Sequence, residues 1–98
     1  MSVKKLFAVN FEVFGKVQGV FFRKYTEKQA LHLGLRGWCM NTAEGTVKGQ
    51  LEGSQNELNE MKHWLRTKGS PSSRIDNAVF SEMTPIDNYT FQSFGIKR

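Results

Sequence analysis

Apolar and polar residues alternate over residues 7–14: Phe7, Val9, Phe11 and Val13 point one way, Ala8, Asn10 and Glu12 the other. A period of two predicts a half-buried strand. Gly15 ends it, and over 23–34 the pattern lengthens to a helical one. Phe22, Thr26, Ala30 and Leu33 form a stripe, with Lys24, Glu27, Lys28 and His32 off it. Gly34 suits the left-handed position that closes such a helix. Residues 35–41 and 46–53 read as two strands around a turn carrying Gly45, a hairpin. In the later strand Val47 and Leu51 are expected inward, and Thr46, Lys48, Gln50 and Glu52 outward. Ser54-Gln55-Asn56-Glu57 predicts a capping box. It opens a helix whose stripe is Leu58, Met61 and Leu65, with Arg66 and Lys68 suiting its negative end and Gly69 its stop. Residues 75–84 and 90–97 are strand-like, parted by Pro85-Ile86-Asp87-Asn88.

The order β-α-β-β-α-β, with an extra C-terminal strand, predicts an α+β, ferredoxin-like sandwich: an antiparallel sheet with two helices on one face. The 98 residues fit a single domain, 1–98, with residues 1–5 expected as a flexible N-terminus. In the usual strand order of this fold, 4-1-3-2, strands one and two run the same way with strand three between them. Their C-terminal ends then open on one edge, roughly 10 Å apart. The turn over 15–19 and Asn41 lie at those two ends, so one ligand could touch both.

Composition narrows the partners. Apolar residues are 39% and charged ones 23%, a folded rather than a disordered profile. Fourteen Lys and Arg against nine acids leave a net charge of +5, which favours an anion without choosing between a small ester, a nucleic acid and a lipid surface. No apolar run approaches the roughly 18 residues of a membrane span, and no signal peptide opens the chain, so a cytoplasmic protein without a membrane partner is expected. Cys39 stands alone, which excludes an internal disulfide and a two-cysteine metal site. No His, Cys, Asp or Glu cluster has metal-ligand spacing, so no metal or other cofactor is expected.

The chemistry concentrates in Gly15-Lys16-Val17-Gln18-Gly19-Val20-Phe21-Phe22-Arg23. Two glycines four apart allow consecutive N–H groups to converge on one point. Residues 15–22 contain no Ser, Thr, Asp or Asn to cap the helix that follows, so its first amides are orphaned. An anion, above all a phosphate, would satisfy them. Arg23 at the positive end of the helix dipole also calls for an anion. A tight strand-to-helix turn with wetted amides and a surface arginine fits the same residues. No Gly-Lys-Ser or Gly-Lys-Thr follows, so a nucleotide-binding loop of the Walker type is excluded.

The same nine residues resemble the G-x-V-Q-G-V-x-F-R signature of the acylphosphatase family. Gly37-Trp38-Cys39-Met40-Asn41-Thr42-Ala43-Glu44-Gly45-Thr46-Val47-Lys48-Gly49 resembles its second signature, G-W-x-x-N-x-x-x-G-x-V-x-G. Ser70-Pro71-Ser72-Ser73-Arg74-Ile75-Asp76 and Phe94-Gly95-Ile96-Lys97-Arg98 fit as well, while Phe21 and Cys39 fall at variable positions. The resemblance implies a small hydrolase that splits acyl phosphates into a carboxylate and inorganic phosphate, the latter expected to inhibit as well; with no extended apolar surface stripe in the sequence, a monomer is expected. It places phosphate binding on Gly15, Lys16, Val17, Gln18, Gly19, Val20 and Arg23, and catalysis on Arg23 and Asn41. The expected reaction is metal-free in-line attack of a water held by Asn41.

Elementary chemistry agrees with that assignment. A carboxylate leaving group, with a conjugate-acid pKa of about 4–5, departs without a general acid. Positioning and charge neutralisation then suffice. A cysteine phosphatase requires an arginine six residues after its nucleophile; six after Cys39 is Gly45. His32 and His63 fall within helices away from the loop, as solvated residues, and Cys39 beside Trp38 reads as a packed residue. An RNA-recognition module of the same fold needs aromatics on its third strand, and residues 46–53 have none, so no nucleic-acid partner is expected. A metal chaperone would need a C-x-x-C loop. A non-catalytic phosphate sensor keeps the loop but needs no water holder, and turnover of benzoyl phosphate separates it from an enzyme.

Overall fold

The computed structural model describes residues 5–97. Chain order is β1 (Leu6–Lys16), α1 (Phe22–His32), β2 (Arg36–Asn41), β3 (Val47–Gly53), α2 (Gln55–Thr67), β4 (Arg74–Phe80), β5 (Thr84–Ile86) and β6 (Phe94–Ile96). The strands form a single sheet in the order β4-β1-β3-β2-β6, with β5 also on β1. The first four give the expected 4-1-3-2 arrangement, and both helices pack on it in a ferredoxin-like α+β fold. Its register aligns the apolar positions: Val9 faces Leu51 and Val13 faces Val47 across β1 and β3. All four are buried against Phe22 and Ala30 of α1 and Leu58, Met61 and Leu65 of α2. Alternation in β1 and the helical stripes thus meet in one core, as the periods predicted. The Phe22 and Trp64 rings pack with centroids 6.0 Å apart, joining the two helices.

Gly34 closes α1 as expected: the Leu35 amide donates to Ala30 O and the Gly34 amide to Leu31 O, a Schellman closure. The Ser54 half of the expected capping box does not form. Ser54 is the N-cap of α2, but its hydroxyl caps nothing and is buried without a partner. Neither helix therefore carries a side-chain cap, and no contrast between them bears on α1.

The C-terminal third departs from the simple pattern. The strand expected over 75–84 is two strands on one edge, β4 and β5, separated by residues 81–83. There the Ser81 hydroxyl accepts from the Asn10 amide, and the Ser81 amide donates to Asn10 O, so a side chain replaces part of the ladder. Pro85, expected between strands, lies inside β5 opposite Phe7, on an edge where its missing N–H costs no ladder bond. The last strand shortens to β6, which runs parallel to β2, so the sheet is mixed rather than wholly antiparallel. The chain leaves β5 on the β1 side, crosses the end of the sheet over 87–93 and pairs with β2 on the far side.

Glu52 holds that crossing. Expected outward, it is 1% exposed, and its carboxylate accepts from the Thr90 amide at 2.8 Å and the Phe91 amide at 3.2 Å. Thr46, expected outward too, is also buried. Arg36 donates to Phe91 O and stacks 3.7 Å from the Tyr89 ring centre. Among the described residues no helix is long and apolar enough to cross a membrane. The flexible terminus expected over 1–5 lies outside the described residues except for Lys5.

Candidate active site

β1 and β2 both run antiparallel to β3, which lies between them, so their C-terminal ends share one edge. The segment between β1 and α1 and the end of β2 meet there. A cleft of about 540 Å³ at this edge is lined by Val17, Gly19, Arg23 and Asn41 from the expected site, together with Phe21, Phe22, Lys24, Glu27 and Ile96. The other four expected residues are disposed differently. Gly15 and Lys16 belong to β1, opposite Ile75 and Arg74 of β4, so the loop proper starts at Val17. A bulge falls between Phe14 and Gly15, where Gly15 takes φ +131°; a Cβ there would strike the Arg74 carbonyl. Val20 turns its side chain into the core, as Val17 does.

Gln18 acts through its side chain. Its amide NH₂ donates to Thr42 O at 2.8 Å and to Thr46 O at 3.0 Å, using both protons. The loop is thereby tied to the turn that follows Asn41. That turn is braced in its own right. The Thr46 hydroxyl donates to the Glu12 carboxylate at 2.6 Å, the Thr42 and Thr46 hydroxyls lie 2.6 Å apart, and the Thr46 amide donates to the Thr42 hydroxyl. With the Thr46 proton on Glu12, Thr42 must be the donor to Thr46.

Three groups at this edge are left without hydrogen-bond partners among the described residues. Among the described residues, the backbone amides of 17–21 have no hydrogen-bond acceptor. Gly19 takes φ +73° and Phe21, the N-cap of α1, takes φ +60°, ψ +24° with no side-chain cap. The loop therefore winds with its N–H groups unspent, whereas amides in folded proteins are nearly always paired. The half-buried Arg23 forms no ion pair or side-chain hydrogen bond among the described residues. Across the cleft, Asn41 Oδ1 is buried without a partner, an acceptor with nothing donating to it.

Cys39 lies in β2, two residues before Asn41, fully buried as expected, with its Sγ 3.9 Å from Arg23 O. Burial pushes its thiol from 9.0 up to about 12; the positive charge of Arg23 opposes this weakly and the negative charge of Glu27 adds to it. It stays protonated and unreactive at neutral pH. His32 and His63 are exposed on the helices, away from the cleft. Among the described residues no three His, Cys, Asp or Glu side chains gather as metal ligands.

Sequence reading missed Glu27 and Ile96. Glu27 was in reach, one helical turn beyond Arg23 at i+4. Ile96 had no local signal, because it arrives through the pairing of β6 opposite Cys39.

An antiparallel core sheet backed by two helices, with an uncapped loop, an arginine and an asparagine at one edge, defines a small ferredoxin-like α+β protein. The acylphosphatase family model matches residues 9–96. The chain is 50% identical to acylphosphatase-1 of Drosophila melanogaster over 97 residues, covering 99% of this chain and 81% of that protein. It is 47% identical to human acylphosphatase-2, covering 98% and 97%. The solved acylphosphatase of Coxiella burnetii superposes with a TM-score of 0.86 at 29% identity, over 99% of this chain and all of the other. That of Bacillus subtilis gives 0.86 at 27% identity, over 94% and 99%. The chain belongs to the acylphosphatase family, and it is a hydrolase of that family.

Proposed function

We propose that the protein hydrolyses the carboxyl–phosphate bond of small acyl phosphates by direct attack of water on phosphorus. The phosphoryl group sits against the unspent amides of the loop that Gly15 and Lys16 anchor, from Val17 and Gln18 to Gly19 and Val20, under the fork of Arg23. Val17, Gly19 and the unspent amides support this; Gly15 and Lys16 contribute by anchoring the loop to β4. Arg23 binds two phosphoryl oxygens at once, which a point charge does not reproduce.

The unpartnered Oδ1 of Asn41 carries this reading. It accepts a hydrogen bond from the attacking water and aims the water's lone pair at phosphorus, in line with the departing acyl oxygen. A bond forms between water oxygen and phosphorus. The bond to the acyl oxygen breaks with its electron pair, releasing a carboxylate. Asparagine is no base at neutral pH, so the water's proton passes to a phosphoryl oxygen and dihydrogen phosphate leaves. No step needs a general acid or a metal ion.

Purified protein should therefore hydrolyse benzoyl phosphate steadily with a chelator present, with inorganic phosphate as a competitive inhibitor. Asn41→Ala should hold phosphate within a few-fold of wild type while kcat falls by about 10²-fold or more. Full kcat in that variant removes the water-holding role; phosphate binding without turnover in the wild type makes the protein a sensor. Sedimentation at micromolar concentration should show a monomer, and cell fractionation should place the protein in the cytoplasm.

A further inference from the structure

Phe21 sits awkwardly in this protein. It is 71% exposed, and its backbone lies in the left-handed region at φ +60°, ψ +24°. A bulky side chain avoids that region, and Gly, Asn or Asp takes it more readily. An exposed aromatic ring in a disfavoured conformation contributes nothing to the core, so its place must be explained by something outside the core. It projects at the mouth of the cleft, two residues before Arg23, and Ile96 lines the same cleft from β6.

The cleft volume, about 540 Å³, lies within the range of pockets that enclose whole organic ligands, well beyond what a phosphoryl group fills. Its polar groups, Arg23, Asn41 and the loop amides, belong to the phosphoryl end. Phe21 and Ile96 are left for the acyl end. Glu27 and Lys24, of opposite charge, also line the cleft and offset one another toward a charged acyl chain.

Resting on the hydrolase reading above, we infer that Phe21, with Ile96, is a specificity-determining apolar lip that holds the acyl part of the substrate. The protein then favours acyl phosphates with aromatic or extended apolar acyl groups over acetyl phosphate. An offset or edge-on contact with the Phe21 ring would supply the preference. The contact is made in substrate and transition state alike, so it acts on KM rather than kcat.

The test compares kcat and KM for benzoyl and acetyl phosphate in wild type, Phe21→Leu and Phe21→Asn. Asparagine tolerates the left-handed backbone and leucine does not, so an effect through backbone strain separates the two variants in the opposite order to an effect through apolar contact. The ratio of kcat/KM for benzoyl over acetyl phosphate should fall about tenfold in Phe21→Asn, through KM, and less in Phe21→Leu. Position 21 is exposed, so both variants should fold, Phe21→Asn with an unfolding midpoint at or above the wild-type value because it relieves the left-handed strain. An unchanged ratio in active variants, or equal losses on both substrates, overturns the lip and leaves the hydrolase reading standing. A wild type that turns over neither substrate overturns both.

Discussion

Arg23 and Asn41 differ in how their surroundings leave them available. Arg23 is half-buried with no described partner, so its fork is not consumed in a salt bridge and is free for the proposed phosphoryl contact. Arg23→Lys keeps the charge and loses the fork. We expect kcat/KM for benzoyl phosphate to fall by about 10²-fold, with KM rising as well as kcat falling; an unchanged KM would count against two-oxygen binding. Cys39 makes a different prediction. Its folded pKa of about 12 lies above its ordinary 9.0, so the native state holds the proton more tightly than the unfolded chain. Stability from this group is intact below pH 9 and is lost as pH rises from 9 toward 12. Urea midpoints should show about 1 kcal/mol of loss between pH 9 and pH 10 that Cys39→Ala does not show. The thiol should also resist iodoacetamide at neutral pH until the protein is unfolded.

The loop and the hairpin turn work as one piece because Gln18 joins them. Both amide protons point at carbonyls, so Gln18→Ala removes two bonds, while Gln18→Glu faces two acceptors with a third. Unfolding in urea should place the loss at about 1–3 kcal/mol for Gln18→Ala and more for Gln18→Glu, with KM raised in both. Equal stability of the two variants would mean that the loop relaxes away from the turn. Most elements were legible in the residue pattern, since strand and helix periods act over a few neighbours and every buried position of β1, α1 and α2 repeats them. The Ser54 half of the capping box was not borne out: the spacing permits that bond, but packing seats the Ser54 hydroxyl where it reaches no helix amide. Glu52 reads as an outward strand residue by alternation, and it is buried because a segment from nearly 40 positions later crosses the sheet end and needs its carboxylate.

The protein carries a net charge of +5, with Lys24 and Arg23 at the cleft proposed to receive the dianionic substrate. Long-range attraction of this kind acts on encounter and is screened over about 10 Å at 0.1 M salt. Raising the salt from 0.02 to about 0.5 M should lower kcat/KM for benzoyl phosphate several-fold in stopped assays and leave kcat within twofold; a matching drop in kcat would point to salt acting on the bound state. Periodicity, turn residues and the two long signatures already held the element order, the loop, Arg23 and Asn41, because each depends on bonds and steric limits among near neighbours. That Ile96 reaches the cleft, that Gln18 ties loop to turn, that β6 runs parallel and that Glu52 is interior all came from pairing and contact between distant segments. No local pattern encodes those pairings: they minimise the free energy of the whole packed chain rather than of any stretch of it.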